Sequence, residues 1–400
     1  MNGINSKMLY SIYIHIPFCQ RRCNYCDFVT YSGENHQIPD YINALIEEFR
    51  IVTRLIDKKT VHTIYFGGGT PSLLPIQGYA KILSALTRTF NLTEDCEISL
   101  EANPGTLTYE YLEGIRSLGI NRISLGAQSF QERDLERLER IHNVEDIYQS
   151  YSYARKAGFL NINFDLIFGL PWQKIKEWSE ILDQAVVLKP EHFSLYSLII
   201  EPGTQLFDWY QKGMVALLDQ DREGDIFEYS MAKLSEAGYL HYEISNWAKK
   251  DNKRDYQCRH NVQYWQGEPY LGFGVGAHGY ARGVRTANVK SIGEYCKLMT
   301  LGSNRTYDFP ASPANRTTIK LENLTQMKEH MMMGLRLIDE GVSETKFFAL
   351  FNRSIFDVFA KEISTLLDLG LLKWSGLTSR NLKLTKRGVM LGNQVFMYFV

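Results

Sequence analysis

Three cysteines near the N-terminus, Cys19, Cys23 and Cys26, lie within one eight-residue stretch. Their spacing is C-x3-C-x2-C, and no fourth thiol follows at once, because Asp27 and Phe28 come next. A structural zinc site usually takes four ligands, commonly from two C-x2-C-like pairs. Thiolates also hold iron–sulfur clusters, and three thiolates on a four-iron cluster leave one iron open to a small molecule. The trio therefore indicates either a zinc site or an iron–sulfur cluster.

Glycine and polar residues stand at the ends of the apolar runs that follow. The second run ends in Gly67–Thr70, and the next three bring Glu101, Gln128 and Asp165. Taken singly, a glycine run is as readily a turn, and a polar residue at a strand end is as readily a cap. Active sites of parallel sheets and (β/α) barrels, however, lie at the carboxyl ends of the strands. We therefore expect these residues to share one rim with the cysteines.

The elements that position this rim are predicted by hydrophobic periodicity. Helical patterns, such as Tyr41–Ile56 with apolar residues at three- and four-residue steps, separate the extended runs. Six strand–helix units in succession predict an α/β fold with parallel strands and crossover helices, as an open sheet or a partial (β/α)6 barrel. The predicted strands are Leu9–Ile16, His62–Phe66, Glu97–Leu100, Arg122–Leu125, Asn161–Phe168 and His192–Leu198.

The alternation ends near residue 205, which indicates further domains. We expect a barrel core over residues 1–205 and an aromatic- and glycine-rich extension over 206–300. Residues 301–320 are polar and predict a linker. Residues 321–400 combine helical patterns with two short extended runs around a polar turn, which predicts a helical, winged-helix-like domain.

The composition is that of an ordinary globular protein. The chain has 400 residues, 44% of them hydrophobic, and a formal net charge of −1. This charge gives no sign of a nucleic-acid partner. No basic region followed by a long apolar run is present at the start, and no window is long and apolar enough to span a bilayer, so we expect neither a signal peptide nor a membrane span. The few, clustered cysteines do not form a disulfide framework, which predicts a cytoplasmic protein.

The motifs together resemble those of the radical S-adenosylmethionine (SAM) superfamily. The cysteine motif with Tyr25 before its last cysteine and the Gly-Gly-Gly-Thr-Pro run agree with that signature, and "YIHIPFC" at 13–19 is similar to the oxygen-independent coproporphyrinogen III oxidase-like branch. The resemblance implies a radical-SAM-type barrel with a 4Fe–4S cluster on Cys19, Cys23 and Cys26, and SAM on the open iron. The residues that it implies for contact with SAM are Tyr13, Tyr25, Gly68, Gly69, Thr70, Glu101, Gln128, Arg140 and Asp165.

Two departures separate the chain from the oxidase itself. The oxidase has a further cysteine where this chain has Phe28, and a longer arm before the position of Tyr13. An H-N-x-x-Y-W motif at 260–265 instead resembles the haem chaperones of the family. This resemblance implies haem as a further ligand and a haem-acceptor protein as partner. Histidine is a common axial ligand of haem iron, and we expect His260 in that role, with His278 as the rival.

The surroundings of His260 contain groups suited to a porphyrin. Aromatic rings can stack on it and arginines can pair with its propionates. Glycines at 267, 272, 274, 276 and 279 would let a loop wrap closely around a flat ligand. The side chains in question are Tyr256, Tyr264, Trp265 and Tyr270, with Arg254 and Arg259.

A catalytic function is the alternative hypothesis. The chain would then be a radical enzyme acting on a porphyrinogen, or a methyltransferase or degrading enzyme for which haem is the substrate. Conversion of coproporphyrinogen III is not expected, because of the two departures. Cys96, Cys258 and Cys296 are isolated in the sequence and are interpreted as ordinary thiols.

Overall fold

The computed structural model describes residues 8–54, 56, 58–251, 254–302, 304–376 and 380–400. The start of the expected 1–205 core and part of the turn predicted near residue 378 lie outside these residues. The chain divides into two compact units. The first comprises Met1–Asp219 with Pro269–Ile319, and the second comprises Gln220–Glu268 with Lys320–Val400. Within the described ranges, no helix is long and apolar enough to cross a membrane.

Strands and helices alternate through the N-terminal half of the chain. Helix α5 (Val144–Lys156) shows how the sequence determines where a helix begins. The Asn143 side chain accepts from the amide of Asp146, and the Asp146 carboxylate accepts from the amide of Asn143, which makes a capping box. The strands are β1 (Leu9–Ile16), β2 (Phe18–Cys19), β3 (Tyr31–Ser32), β4 (Thr60–Gly68), β5 (Asn91–Ala102), β6 (Arg122–Gln128), β7 (Ile162–Phe168) and β8 (His192–Ser197). The helices are α1 (Ile38–Thr53), α2 (Ile76–Thr89), α3 (Tyr109–Ser117), α4 (Glu132–Arg137), α5 (Val144–Lys156), α6 (Ile175–Val187) and α7 (Gln205–Gln211).

The remaining elements are divided between the two units. In chain order they are α8 (Gln220–Glu236), β9 (Leu240–Glu243), β10 (Asn246–Ala248), α9 (Arg259–Trp265), β11 (Tyr270–Phe273), β12 (His278–Ala281), β13 (Val284–Asn288), α10 (Ile292–Gly302) and β14 (Asn315–Lys320). The C-terminal elements are α11 (Asn323–Gly334), β15 (Val342–Ser343), α12 (Glu344–Phe351), α13 (Ile355–Asp368), β16 (Leu372–Ser375), β17 (Asn381–Leu384), α14 (Lys386–Met390) and α15 (Gly392–Phe396).

Six parallel strands in sequence order form the centre of the first unit. β1, β4, β5, β6, β7 and β8 are hydrogen-bonded neighbours, with Ile14 beside Phe66 and Phe66 beside Leu100. These three side chains have no solvent exposure, as expected where helices cover a parallel sheet. The predicted α/β architecture with six strand–helix units is confirmed. β11 adds a seventh parallel strand beside β1, and β12 and β13 continue the sheet antiparallel.

Part of the segment expected to be a linker is built into the first unit. Asn315–Lys320 is strand β14, and the residues before it turn inward. The Ser312 hydroxyl donates to Oε1 of the buried Glu48 (2.8 Å), and Asn315 donates through Nδ2 to Asn288 (2.6 Å). Ser312 of this segment therefore helps to satisfy a buried carboxylate. The domain boundaries expected at 205, 300 and 320 remain predictions.

The second unit has its own apolar core around a small sheet. β15, β17 and β16 pair in that order, and β16 and β17 form the predicted hairpin, with Leu372 opposite Leu384. The core contains Met331, Phe347 and Ile363, all without solvent exposure. The predicted helical domain with a β-hairpin is confirmed.

Candidate functional site

A cavity of about 450 Å³ in the first unit gathers most of the predicted site residues. Its walls come from the ends of parallel strands and the loops that follow them, as in other barrels. Tyr13 and His260 do not line it. The predicted residues that do are Cys19, Tyr25, Cys23, Cys26, Gly68, Gly69, Thr70, Glu101, Gln128, Arg140 and Asp165.

The cysteine loop is held by hydrogen bonds to its sulfurs and its backbone. The Thr70 hydroxyl lies 3.6 Å from Sγ of Cys19, and Nη1 of Arg140 donates to Sγ of Cys23 at 3.3 Å. The amide of Cys26 donates to the Cys23 carbonyl, which tightens the loop into a turn. Phe28 follows with 62% of its surface exposed, so an exposed ring occupies the position at which the oxidase resemblance would require a further thiol.

The three thiols fit a multi-iron cluster better than a single ion. Among the residues that the structure describes, no group of three or more His, Cys, Asp or Glu side chains is arranged to hold one metal ion. A four-iron cluster does not need such convergence, because each thiolate binds a different iron. All three cysteines nevertheless line one cavity, with a guanidinium and a hydroxyl beside two of the sulfurs.

The glycine loop is packed directly against the cysteine-bearing segment. The Gly69 amide donates to the Ile16 carbonyl at 2.8 Å, and a Cβ on Gly69 would lie 2.7 Å from the Phe18 carbonyl oxygen. Gly68 has a φ of +117°, and a Cβ there would lie 2.5 Å from the His15 ring. Both positions therefore require glycine for close packing and, at Gly68, for a left-handed backbone. The absence of side chains also leaves this backbone open to the cavity.

Two half-buried carboxyl groups lie on the cavity wall, Glu101 on β5 and Asp165 on β7. Oε1 of Glu101 accepts from the Tyr65 hydroxyl at 2.9 Å, and Oδ2 of Asp165 accepts from the Ser124 hydroxyl at 2.7 Å. Burial and the neighbouring Asp165 raise the pKa of Glu101 to about 7. Burial also raises the pKa of Asp165. A cationic ligand would favour the ionised form of both groups. Asp165 occupies the middle of β7 rather than its end.

Arg140 connects the cysteine loop to the ends of β5 and β6. Its Nη2 donates to Oδ1 of Asn103 at 2.6 Å and to the Gly126 carbonyl at 3.0 Å. Its Nε is buried and has no hydrogen-bond partner among the described residues. Gln128, the last residue of β6, has a φ of +66°. Asn103 was not predicted, although it stands two residues after Glu101 at the end of the same strand.

Tyr13 does not line the cavity, and its ring contacts that of Tyr65. The two rings stack at 6.3 Å, and the Tyr13 hydroxyl is 3.0 Å from Nδ1 of His15. His15 in turn contacts the Val29 carbonyl through Nε2 at 2.8 Å. Tyr65, which contacts Tyr13, donates to Glu101. His15 links β1 to the segment after the cysteines.

The histidines considered for haem belong to different units. His260, on α9, is buried, and its Nε2 lies 3.1 Å from the Tyr264 hydroxyl. His278 begins β12 in the first unit and is exposed. Among the supporting residues, Tyr270 also belongs to the first unit, whereas Trp265 and the rest of the motif belong to the second. A Cβ on Gly272 would collide with the backbone of His278, so that glycine is required by the β11–β12 hairpin itself.

Comparisons with known proteins agree with this arrangement. The Radical SAM superfamily profile matches residues 13–185, and the HemN C-terminal domain profile matches residues 321–391. The protein named heme chaperone HemW in Bacillus subtilis (strain 168) is 37% identical over 391 residues, covering 98% of this chain and 99% of that protein. Its namesake in Lactococcus lactis subsp. lactis (strain IL1403) is 35% identical and covers 98% and 97%.

A eukaryotic relative and a solved structure extend the comparison. The mouse protein named radical S-adenosyl methionine domain-containing protein 1, mitochondrial, is 33% identical, covering 90% of this chain and 81% of its own length. The structure of coproporphyrinogen III oxidase (HemN) from Escherichia coli superposes with a TM-score of 0.81 at 23% identity, covering 98% of this chain and 90% of the oxidase. At that identity the likeness shows a common fold.

Proposed function

Because the chain belongs to the radical SAM superfamily and, within it, to the family of the proteins named heme chaperone HemW, we propose that it binds haem and transfers it to an acceptor protein. In this proposal it acts in the cytoplasm and carries a 4Fe–4S cluster with exchangeable SAM. The observation that carries the proposal is the likeness to these relatives over nearly the full length of both chains.

Cys19, Cys23 and Cys26 hold the cluster in this proposal, one thiolate to each of three irons. When bound, the cluster supplies an electron and an open iron that can take the amine and carboxylate of SAM. Arg140 and Thr70 donate to two of the sulfurs. Hydrogen bonds of this kind stabilise thiolate charge and fix the direction of each sulfur.

The cavity walls bind and orient SAM through charge and backbone. Glu101 and Asp165 offset the positive charge of the sulfonium and ammonium groups, since both are acidic, half-buried and within the cavity. Gly68 and Gly69 offer backbone without obstruction. The further contacts proposed are those of Tyr25, Thr70, Gln128 and Arg140, with Tyr13 acting through Tyr65.

Haem binding is supported by the H-N-x-x-Y-W motif and its aromatic residues. His260 would need to break its contact with Tyr264 before its Nε2 could reach an iron. His278 is exposed and needs no such rearrangement. We therefore retain His260 as the proposed ligand and His278 as its rival, to be separated by single substitutions.

The product of an anaerobic reaction tests the function directly. The reconstituted protein is incubated with haem, SAM and dithionite, and the tetrapyrrole is recovered for mass spectrometry. A chaperone returns haem of unchanged mass, together with a shifted Soret band while haem is bound. A haem-modifying methyltransferase or degrading enzyme would instead yield an altered tetrapyrrole in proportion to the SAM consumed.

A parallel incubation with coproporphyrinogen III tests the oxidase alternative. We expect no divinyl product, because the exposed Phe28 stands where the oxidase resemblance requires a thiol. Formation of that product at a catalytic rate would overturn the chaperone proposal. Heat-inactivated protein, treated identically, controls for spontaneous oxidation of the porphyrinogen.

A further inference from the structure

His142, between α4 and α5, is a buried histidine that the proposed function does not use. It is 4% exposed and does not line the cavity. Its Nδ1 lies 2.9 Å from Oδ1 of Asn103, the first residue after β5. The same oxygen accepts from Nη2 of Arg140 at 2.6 Å. A buried imidazole therefore contacts an amide that holds the guanidinium beside the cysteine loop.

Arg140 determines which of these groups donates. A guanidinium has donors and no acceptor, so the Asn103 atom that faces it must be the carbonyl oxygen. His142 therefore donates to that oxygen through Nδ1, and a neutral ring then carries no proton on Nε2. The approach of Nε2 to the Ala127 carbonyl oxygen, at 3.3 Å, is accordingly a packing contact. Burial, with a smaller contribution from Arg140, lowers the pKa of His142 to about 3, so the ring is neutral near pH 7.

Asn103 is fixed by its backbone as well as by its side chain. Its amide donates to the Ser72 hydroxyl at 3.3 Å, and its carbonyl accepts from the Thr106 hydroxyl at 2.7 Å. The donor on His142 fixes the side-chain amide, because a half-turn of that amide would bring its NH2 group against Nδ1–H and against the guanidinium. Two donors facing each other form no hydrogen bond. His142 therefore keeps the Asn103 oxygen directed at Arg140.

The other end of this series of hydrogen bonds is a thiol of the cysteine loop. Nη1 of Arg140 donates to Sγ of Cys23 at 3.3 Å, while Nη2 is held by Asn103 and by the Gly126 carbonyl at 3.0 Å. A guanidinium is planar and rigid, so fixing Nη2 also fixes where Nη1 points. The contacts run in order from His142 through Asn103 and Arg140 to Cys23.

A directed cation at this sulfur bears on how readily a cluster accepts an electron. Hydrogen bonds to the sulfurs are among the features that set the reduction potential of an iron–sulfur cluster. Reduction adds one negative charge, and a charged donor aimed at a ligand sulfur stabilises that charge. Salt screens such a buried interaction less than a surface one. Loss of the aimed N–H group should therefore lower the potential.

We propose that His142 and Asn103 are positioning residues that direct Arg140 at Cys23 and thereby raise the reduction potential of the cluster. The inference rests on the cluster of the proposed function and names what regulates its potential. One electron enters from an external reductant such as dithionite, no bond forms or breaks, and the four side chains keep their protonation states. His142 acts through Asn103 and Arg140, without contact to the cluster.

Reduction potentials of the reconstituted variants test the assignment. Cluster absorbance is followed anaerobically during titration with dithionite and redox mediators, without SAM, because Arg140 is also a proposed SAM contact. Asn103→Ala should make the cluster about tenfold harder to reduce, a shift of about 59 mV to lower potential for one electron. His142→Leu should shift the potential in the same direction. His142→Gln, which keeps an N–H donor, should restore most of the wild-type value.

Asn121→Ala is the matched control for the loss of a structural amide. Asn121 accepts from the Ile98 amide at 2.9 Å and donates to the Cys96 carbonyl at 2.8 Å, so it also holds β5, but it does not line the cavity. The control should lower the unfolding temperature and keep the wild-type potential. Iron and sulfide analysis with unfolding temperatures shows which variants carry a complete cluster in a folded chain.

The outcomes separate this inference from the function on which it rests. If the wild-type protein assembles no cluster, the proposed function fails and the inference fails with it. If wild type carries the cluster and Asn103→Ala and His142→Leu both keep its potential, the function stands and the positioning roles are overturned. A shift in Asn103→Ala with none in His142→Leu would remove His142 from the assignment. An equal shift in Asn121→Ala would overturn both roles, because general loosening of β5 would then account for the change.

Discussion

The backbone amide of Gly68 donates a hydrogen bond to Oε2 of Glu101, with 3.0 Å between nitrogen and oxygen. The bond joins the last residue of β4 to a carboxylate near the end of β5. Tyr65 donates to the other oxygen of the same group. The glycine loop and the acidic wall of the cavity are therefore one structure, and a change in the charge of Glu101 acts on both.

The first prediction concerns the pH dependence of stability through Glu101. Its pKa is raised from an ordinary 4.5 to about 7 in the folded protein. The stability that this proton contributes is fully present below pH 4.5 and is lost as pH rises through about 7. Glu101→Gln should remove roughly 3 kcal/mol of this dependence in the cluster-free protein. Urea unfolding at several pH values measures it. Glu110→Gln, at an exposed acid on α3, is the control and should keep the wild-type dependence.

The first prediction extends to SAM binding, which should depend on pH through the same carboxyl group. A cationic ligand favours ionised Glu101, so the affinity for SAM should rise as pH increases toward and through about 7. Below that pKa, each pH unit should weaken binding by up to about tenfold. Calorimetric titration of the reconstituted protein measures the slope. A slope that is identical in wild type and Glu101→Gln would remove Glu101 from the binding site.

The second prediction concerns the glycine loop. Gly68→Ala places a Cβ against the His15 ring in a left-handed backbone conformation, so the loop must shift away from its position. SAM affinity should fall while the cluster still assembles. Gly293→Ala is the matched control, since a Cβ there meets nothing within 4 Å. Unchanged SAM affinity in Gly68→Ala would mean that the loop is only a turn.

The third prediction concerns the cluster ligands. Cys23→Ala removes the thiol that accepts from Arg140, so one iron loses its protein ligand and the cluster should not persist. Iron and sulfide analysis of the anaerobically reconstituted protein measures the loss. Cys296→Ala, at a half-buried thiol on α10 outside the cavity, should retain the wild-type iron content. Full iron content in Cys23→Ala would show that this thiol is not a ligand.

The fourth prediction concerns the Tyr264 hydroxyl, which contacts Nε2 of His260. Tyr264→Phe removes the partner 3.1 Å from Nε2 of His260 while keeping the ring. If His260 ligates haem iron, less free energy is needed to make its Nε2 available in this variant, and haem affinity should rise. Tyr398→Phe, at an exposed tyrosine of the second unit that the haem proposal does not use, is the control and should leave the affinity unchanged. Equal affinity in wild type and Tyr264→Phe would count against His260 as a ligand.

The fifth prediction concerns Glu48, which is buried in the first unit. Its carboxylate accepts from the Gly274 amide (2.9 Å), from Asn288 Nδ2 (2.9 Å), and from the hydroxyls of Tyr295 (2.6 Å) and Ser312 (2.8 Å). Glu48→Ala strands these donors, which should cost about 3–5 kcal/mol of unfolding free energy.

Urea unfolding of the cluster-free protein measures the effect at Glu48. The control is Glu47→Ala, which removes only a surface ion pair with Arg50 and should cost less than about 1 kcal/mol. Similar losses in the two variants would show that the buried network contributes little to stability.

The sequence was sufficient for features that repeat locally or lie close together in the chain. Strand and helix positions follow from periodicity, because a strand buried on both faces requires continuous apolar residues and a covering helix requires an apolar stripe. The cysteine trio is also local, since its spacing allows one short loop to present three thiols. Glu101 was found because parallel strands bring their carboxyl ends to one edge, and Asp165 lines the same cavity although it lies in the middle of β7.

Only the tertiary structure decided which distant residues meet. His260 belongs to a recognisable motif, yet its burial against Tyr264 depends on packing within the second unit. The polar segment before β14 is predicted to be a linker, yet its Ser312 hydroxyl donates to Glu48, 264 residues earlier in the chain. Gly267 likewise packs against His330, 63 residues later in the chain. Such contacts leave no period or spacing in the sequence, because they depend on how whole elements pack and on which buried polar groups still need partners.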